Sequence, residues 1–149
     1  TEIYTLSLHD ALPICSHRQA TILLIDIDHF KTINDTWGHD VGDEAIVAIT
    51  RQLQLTLRSG DYIGRFGGDE FAVIMSGTPA DSAIAAMSRV HERLVNMPLH
   101  GAPTARLCIS VGVAPWGAQF THYREWLKAA DVALYKAKNA GRGRTEVAA

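Results

Sequence analysis

The order of apolar and polar positions along the chain predicts a mixture of strands and helices. The run ATILLIDI, over residues 20–27, is continuous and rich in β-branched side chains, which is typical of a strand buried on both faces. Apolar residues then recur at steps of three and four across residues 41–58, which predicts an amphipathic helix that crosses over the sheet. Two short runs, 62–66 and 71–75, flank a Gly-Gly connection and predict a β-hairpin.

The second half of the chain continues this pattern. Helical periodicity recurs across residues 84–94 and again across 127–137, and LCISVGVA, at 107–114, predicts a strand between them. Gly141 is expected to cap the last helix, and residues 145–147 predict a final short strand. The order predicts an α/β (α+β) fold: a ferredoxin-like sandwich in which helices flank a central, mainly antiparallel sheet.

Composition narrows the classes of partner. The chain has 149 residues, which fits one domain. With 14 basic against 16 acidic residues and a net charge of -2, it has no excess of positive charge with which to bind a nucleic acid polymer. Its longest aliphatic run, residues 22–25, is far shorter than the roughly 20 apolar residues of a membrane span, so we expect no membrane contact by this domain. Cys15 and Cys108 are too few for a disulfide framework and lack zinc-ligand spacing, which favours a reducing cytoplasm.

The first residues differ in character from the rest. The segment TEIYTLSLHDALPI, residues 1–14, lacks an amphipathic period, a basic region and a cleavage site of small residues. It resembles one reading frame of a widely used sequencing adapter, so we expect residues 1–15 to be a translated artefact and 16–149 to be the domain. The alternative is a genuine N-terminal helix.

Carboxylates cluster where the first strand ends. Asp26 and Asp28 alternate with Ile27, so both aspartates share one face of the strand and Ile27 faces the other way. A carboxylate beside an apolar run is costly to bury unless it is paired or binds a metal, and oxygen ligands suit Mg²⁺. An exposed strand end or a helix N-cap is the alternative. Asp69 and Glu70, on the hairpin turn, add the further carboxylates that a magnesium site needs.

Three further features are suited to phosphate. Glycines at 67 and 68 would let the backbone approach a ligand and would permit a positive φ, although Gly-Gly alone is only a turn. Residues 29–31 begin a segment whose backbone N–H groups can face phosphate oxygens at a helix start. Lys138 and Arg142 lie four residues apart at a helix end, where ordinary capping also favours cations.

Four segments together resemble a known family. IDIDHFKTINDTWGHDVGDE, RFGGDEF, SVGVA and ADVALYKAKNAGRGR resemble, in order, the signatures of GGDEF-domain diguanylate cyclases, and the resemblance extends over residues 20–147. Four motifs in the correct order are far more specific than a lone glycine motif. The resemblance implies a nucleotidyl-cyclase-like fold and an enzyme of bacterial signalling that condenses two GTP into cyclic di-GMP and two pyrophosphates.

The resemblance also assigns roles to residues. It implies that Asp26, Asp69 and the main-chain carbonyl of Ile27 hold Mg²⁺, for which Mn²⁺ can substitute, and that Asp69 and Glu70 are catalytic. Asn34 and Asp43 match the pair that reads the guanine edge. The implied GTP-binding positions are Phe30, Lys31, Asn34, Asp43, Gly67, Gly68, Lys138 and Arg142.

A second site is implied before the hairpin. Arg58 and Asp61 match the family's RxxD motif, at which cyclic di-GMP inhibits the enzyme, and Arg89 is a secondary contact. Taken alone, Arg-x-x-Asp is often a solvated ion pair. His39 is expected to be structural, a polar residue at a helix end.

The resemblance implies partners as well. One domain binds one GTP, so catalysis requires a second GGDEF domain in a homodimer, and a membrane anchor elsewhere in the parent protein is compatible with the resemblance. The family's opening helix is missing from its expected place. Two alternatives remain: a non-catalytic receptor for GTP or cyclic di-GMP, and a cyclase that makes a cyclic mononucleotide. The intact signature at 67–71 argues against the first, and Asn34 with that turn argues against the second.

Overall fold

A computed structural model describes residues 19–149, so the predictions for residues 1–15 lie outside the described residues. No helix within residues 19–149 combines the length and apolar character needed to cross a bilayer. The elements, in chain order, are β1 (Ala20–Ile27), α1 (Phe30–Trp37), α2 (His39–Thr56), β2 (Tyr62–Arg65), β3 (Glu70–Ser76), α3 (Ala80–Val95), β4 (Ile109–Pro115), α4 (Tyr123–Asn139) and β5 (Thr145–Val147).

The strands form one five-stranded sheet in the order β2-β3-β1-β4-β5. All neighbours are antiparallel except β4 and β5, which are parallel. The predicted ferredoxin-like sandwich with a mainly antiparallel sheet is therefore confirmed. The central position of β1 puts Asp26 opposite Glu70 of β3 on one side and Ser110 of β4 on the other.

The two faces of β1 enter different cores. Its odd-numbered residues from 23 to 27 belong to the larger core, which α2 and α3 complete, whereas Ala20 and Ile22 pack with Trp126 of α4. Because side chains alternate along a strand, this pattern directs Asp26 and Asp28 to the α4 side of the sheet. The predicted division, with both aspartates on one face and Ile27 on the other, is confirmed.

The segment between β1 and β2 differs from its prediction. The helix predicted over residues 41–58 is present as α2, and a further helix, α1, precedes it and meets it at Gly38. Gly38 has a φ of 93°, a conformation that favours glycine, and its N–H donates to the carbonyl of Asn34 (2.9 Å). The glycine therefore ends α1 and lets the chain turn into α2.

The end of α4 follows the prediction. Gly141 has a φ of 112°, its N–H donates to the carbonyl of Lys138 (3.4 Å), and Arg142 N–H donates to that of Ala137 (3.0 Å). These paired bonds form a Schellman motif, which satisfies carbonyls that the helix leaves free. The predicted cap at Gly141 is confirmed.

Candidate active site

The hairpin turn lies against the end of β1. The N–H of Ile27 donates to the carbonyl of Asp69 (3.0 Å), and Asp26 is in register with Glu70. Burial raises the pKa of Asp69, and the negative charge of Asp26 raises it further. Two of the predicted metal-binding carboxylates are therefore close enough to repel each other, and a cation between them would relieve that repulsion.

A cation already approaches this pair from α4. Lys138 forms an ion pair with Oδ2 of Asp26, whereas Oδ1 of Asp26 is buried and has no hydrogen-bond donor within residues 19–149. Lys138 therefore does not act as a simple helix cap. A buried carboxylate oxygen without a donor is costly, and it fits a hard cation such as Mg²⁺.

The protein carboxylates alone do not complete a metal cage. Across the described part of the chain, no group of three or more His, Cys, Asp or Glu side chains is placed to hold a metal ion. The side chains of Asp26 and Asp69 thus leave coordination positions that main-chain carbonyls, water or a bound substrate would fill. Magnesium commonly binds in this way because it keeps several waters and binds substrate phosphates.

Asp28 is engaged differently from Asp26. It is only 6% exposed, its Oδ1 accepts the hydroxyl of Ser110 (2.6 Å), and its Oδ2 accepts the N–H of Gly143 (2.8 Å). Both oxygens of Asp28 are therefore occupied by protein donors. Sequence reasoning placed Asp28 correctly beside Asp26 but missed both donors, since neither is near it in the sequence.

The signature turn is held by an arginine. Arg65 donates from Nε to the carbonyl of Gly67 (3.0 Å) and from Nη2 to that of Gly68 (2.8 Å). Neither glycine uses the positive φ that its lack of a side chain permits. A Cβ at Gly68 would meet no atom within 4 Å, so the turn is open to a ligand. Sequence reasoning missed Arg65, although it lies within the quoted RFGGDEF motif.

A second cluster forms where α1 and α2 meet. Asn34 lies on α1, and its Oδ1 is buried without a hydrogen-bond partner in the region that the structure describes. Any side chain at Gly42 of α2 would collide with the Asn34 amide and lie 3.4 Å from Cε2 of Phe30. Asp43, the next residue, is exposed. Gly42 was not predicted as a site residue, but its lack of a side chain makes the space that Asn34 fills.

The predicted phosphate-binding residues lie at two helix ends. Lys31 is exposed in the first turn of α1, two residues after His29, a non-glycine residue with a φ of 55°. Arg142 is exposed and follows α4 with a φ of 64°. His39 is the exposed first residue of α2, the helix-end position that was expected.

Grooves on the α4 side of the sheet border the carboxylates. One, of about 520 Å³, lies between the hairpin and α4, with Leu24, Phe71 and Leu127 among its apolar walls and Glu70 in its lining. A smaller one, of about 280 Å³, is lined by both Glu70 and Lys138. Glu70 therefore faces open space beside Lys138, the ion-pair partner of Asp26.

The predicted inhibitory motif forms the turn before β2. Asp61 accepts the N–H groups of Arg58 (2.9 Å) and Ser76 (3.0 Å), and the Arg58 guanidinium donates to Oγ1 of Thr78 (2.9 Å). Within residues 19–149, Arg58 and Asp61 form no ion pair with each other. Arg89 lies exposed on α3. Asp61 thus shapes the loop, and Arg58 is anchored to the turn that follows β3.

Comparison with known sequences identifies relatives of this chain. The family model described as "Diguanylate cyclase, GGDEF domain" matches residues 3–144. The chain is 74% identical over 133 residues to "Probable diguanylate cyclase DgcC" of Escherichia coli strain K12, covering 89% of this chain and 36% of that protein. It is 40% identical over 124 residues to diguanylate cyclase DgcM of the same strain, covering 83% and 30%. The chain thus spans about a third of the length of these curated relatives.

Solved structures agree with the fold. The GGDEF domain of DgcB from Caulobacter crescentus, in complex with c-di-GMP, has a TM-score of 0.87 at 25% identity and covers 99% of this chain and 94% of that one. The active GGEEF domain of a Vibrio cholerae diguanylate cyclase has a TM-score of 0.85 at 27% identity, covering 95% and 89%. These similarities extend over the elements that carry the carboxylates.

Proposed function

The chain belongs to the GGDEF-domain family of diguanylate cyclases, and we propose that it is the catalytic domain of an enzyme that condenses two GTP into cyclic di-GMP and two pyrophosphates. The observation that carries this proposal is the pair Asp26 and Asp69, with a buried oxygen of Asp26 that has no donor. That arrangement suits a divalent cation bound together with a nucleoside triphosphate.

The metal would be held by Asp26, Asp69 and the main-chain carbonyl of Ile27. Bound there, Mg²⁺ or Mn²⁺ would polarise the α-phosphate and lower the pKa of the ribose 3′-hydroxyl that attacks it. Asp69 or Glu70, which lines the groove beside Lys138, would accept the proton of this hydroxyl.

Cations would compensate the charge of the leaving group. Lys31, Lys138 and Arg142 are the proposed contacts for the β- and γ-phosphates, on which negative charge accumulates as pyrophosphate departs. Gly67 and Gly68 would pass close to the phosphates because neither carries a Cβ. Arg65 supports this role, since its two hydrogen bonds fix both glycine carbonyls.

The base would be read where α1 meets α2. The carboxylate of Asp43 can accept the N–H donors of the guanine edge, and the amide of Asn34 can both donate and accept. Adenine presents an acceptor where guanine presents N1–H, so a carboxylate there favours GTP over ATP. Phe30, which lies beside Asn34 and Gly42, would supply an apolar wall.

Two copies of the domain are needed, because one site presents one GTP and the product joins two. We propose a homodimer in the cytoplasm, and the free thiol of Cys108 agrees with a reducing compartment. Cyclic di-GMP would act as inhibitor through Arg58, Asp61 and Arg89. The DgcB structure, solved with c-di-GMP, supports product binding within the family.

The test is to incubate the purified chain, fused to a dimerising coiled coil, with GTP and Mg²⁺ and to separate the products by chromatography. We expect cyclic di-GMP and pyrophosphate, and neither from Asp69→Ala, whose circular dichroism spectrum should match the wild type. A cyclic mononucleotide would refute the proposal in favour of a different cyclase. Bound GTP without product, also when residues 1–15 are replaced by the corresponding segment of DgcC, would favour a receptor.

A further inference from the structure

We propose that Asp28 is a positioning residue that holds the turn 141–144 in the conformation that presents Arg142 to the triphosphate. This inference rests on the proposed function, because it assigns Arg142 to phosphate binding. It gives Asp28 a role distinct from that of Asp26, its neighbour on the same strand face.

The contact joins parts of the chain that are far apart in sequence. The N–H of Gly143 donates to Oδ2 of Asp28 at 2.8 Å, across a sequence separation of 115 residues. Ser110 of β4 donates its hydroxyl to the other oxygen at 2.6 Å, so the carboxylate is fixed from two sides. Charge-assisted bonds of this kind are roughly twice as strong as neutral ones.

The turn needs such support because its backbone is unusual. Gly141, Arg142 and Gly143 all have positive φ angles, of 112°, 64° and 58°. A non-glycine residue in this region is strained and persists only where the surroundings enforce it. Arg142 is bracketed by two anchors: its own N–H donates to Ala137, and the next N–H donates to Asp28.

The alternative role for Asp28 is metal binding, since it is two residues from Asp26. The geometry opposes it, because each oxygen of Asp28 already accepts a hydrogen bond from the protein. Asp26 is the contrasting case, because one of its buried oxygens has no donor. The two aspartates therefore have different roles: Asp26 has an oxygen available to a cation, and Asp28 holds the phosphate-binding turn.

A double-mutant cycle tests the inference. GTP and GMP affinities are measured with Mg²⁺ by calorimetry for wild type, Asp28→Ala, Arg142→Ala and the double variant. We expect Asp28→Ala to weaken GTP binding about tenfold and GMP binding less than about twofold, because GMP lacks the β- and γ-phosphates. The double variant should bind GTP no more weakly than Arg142→Ala alone, since Asp28 acts through Arg142. Additive losses would overturn the proposal.

Two further variants separate positioning from metal binding and from misfolding. Asp28→Asn can still accept from Gly143 and donate to Ser110, so it should retain GTP affinity within about threefold and an unchanged Mg²⁺ requirement. A tenfold higher Mg²⁺ requirement in this variant would assign Asp28 to the metal instead. Ser110→Ala, the matched control, leaves the Gly143 contact and should retain GTP affinity.

Hydrogen exchange of the Gly143 amide gives a readout that needs no nucleotide. We expect its protection in the wild type and in Asp28→Asn, and faster exchange in Asp28→Ala. Equal exchange in wild type and Asp28→Ala would overturn the inference even if the enzyme is active. A wild-type chain that binds no GTP would instead refute the proposed function, while the exchange result still decides whether Asp28 holds the turn.

Discussion

The ammonium group of Lys138, on α4, forms an ion pair with the carboxylate of Asp26 at the end of β1. This pair links the last helix to the carboxylates and partly neutralises two acids that repel each other. Removing one partner of a largely buried pair leaves an uncompensated charge. The Lys138 side chain is 33% exposed, so the loss is smaller than for a fully buried pair.

We therefore expect Lys138→Met to lower the free energy of unfolding by about 1–2 kcal/mol without magnesium. Adding Mg²⁺ should raise the melting temperature of this variant more than that of the wild type, because the ion would replace the lost cation. Differential scanning calorimetry with and without Mg²⁺ measures both effects. Equal magnesium shifts in the two proteins would show that the ion does not compensate for Lys138, and no shift in either protein would contradict a metal site at Asp26.

Gly42→Ala should impair recognition of the base while leaving the helix intact. The added methyl group would collide with the Asn34 amide, so the amide must move from its present position. We expect GTP affinity to fall about tenfold and the preference for GTP over ATP to narrow, as judged by calorimetry with both nucleotides. The control is Asn34→Ala. Combining it with Gly42→Ala should add no further loss, and an additive loss would show that Gly42 acts elsewhere.

Arg58→Ala should relieve inhibition by cyclic di-GMP without lowering the uninhibited rate. Arg58 can grip phosphate and stack on guanine, and its side chain lies on the loop before the hairpin, away from the paired carboxylates. Initial rates at increasing cyclic di-GMP measure the effect. Thr78→Val, which removes the oxygen that anchors Arg58, should relieve inhibition less. An unchanged inhibition curve in Arg58→Ala would remove this residue from the product site.

His91 should make the fold sensitive to mild acid. Burial lowers its pKa below the ordinary value of 6.5, while the charge of Asp28 acts in the opposite direction, and its Nε2 lies 3.0 Å from Oγ1 of Thr145. The unfolded chain then binds more protons than the folded chain below about pH 6.5. The contribution of His91 to stability is thus fully present above that pH and is lost as the pH falls through the folded pKa.

The measurement is the melting temperature between pH 7.5 and pH 5 for wild type and His91→Gln. The wild type should lose more stability across this range than the variant, whose amide does not titrate. Asp69 titrates in both proteins, so its contribution cancels in the comparison. Its raised pKa acts in the opposite direction, because it increases stability as the pH falls. Parallel curves would mean that His91 does not contribute.

Local signals made much of the fold predictable. These signals are the β-branched run of β1, the apolar periodicity of α3 and α4, and the glycine after α4. Each favours one backbone conformation within a few residues. They gave the bounds of β1 and β5, the cap at Gly141 and the class of the sheet. The short helix α1 was missing from the predicted order of elements, although a helix start was expected at residues 29–31.

The sequence by itself determined which residue types are available for chemistry: the carboxylates at the ends of β1 and the hairpin turn, the lysine and arginine after α4, and the order of motifs that indicates the family. Only the tertiary structure decided which partner each of these side chains contacts. Asp28 meets Gly143, Asp26 meets Lys138, and Gly42 makes room for Asn34. The physical reason is that hydrogen bonds and ion pairs depend on distance in space, and sheet pairing and helix packing set that distance between segments that are far apart in the chain.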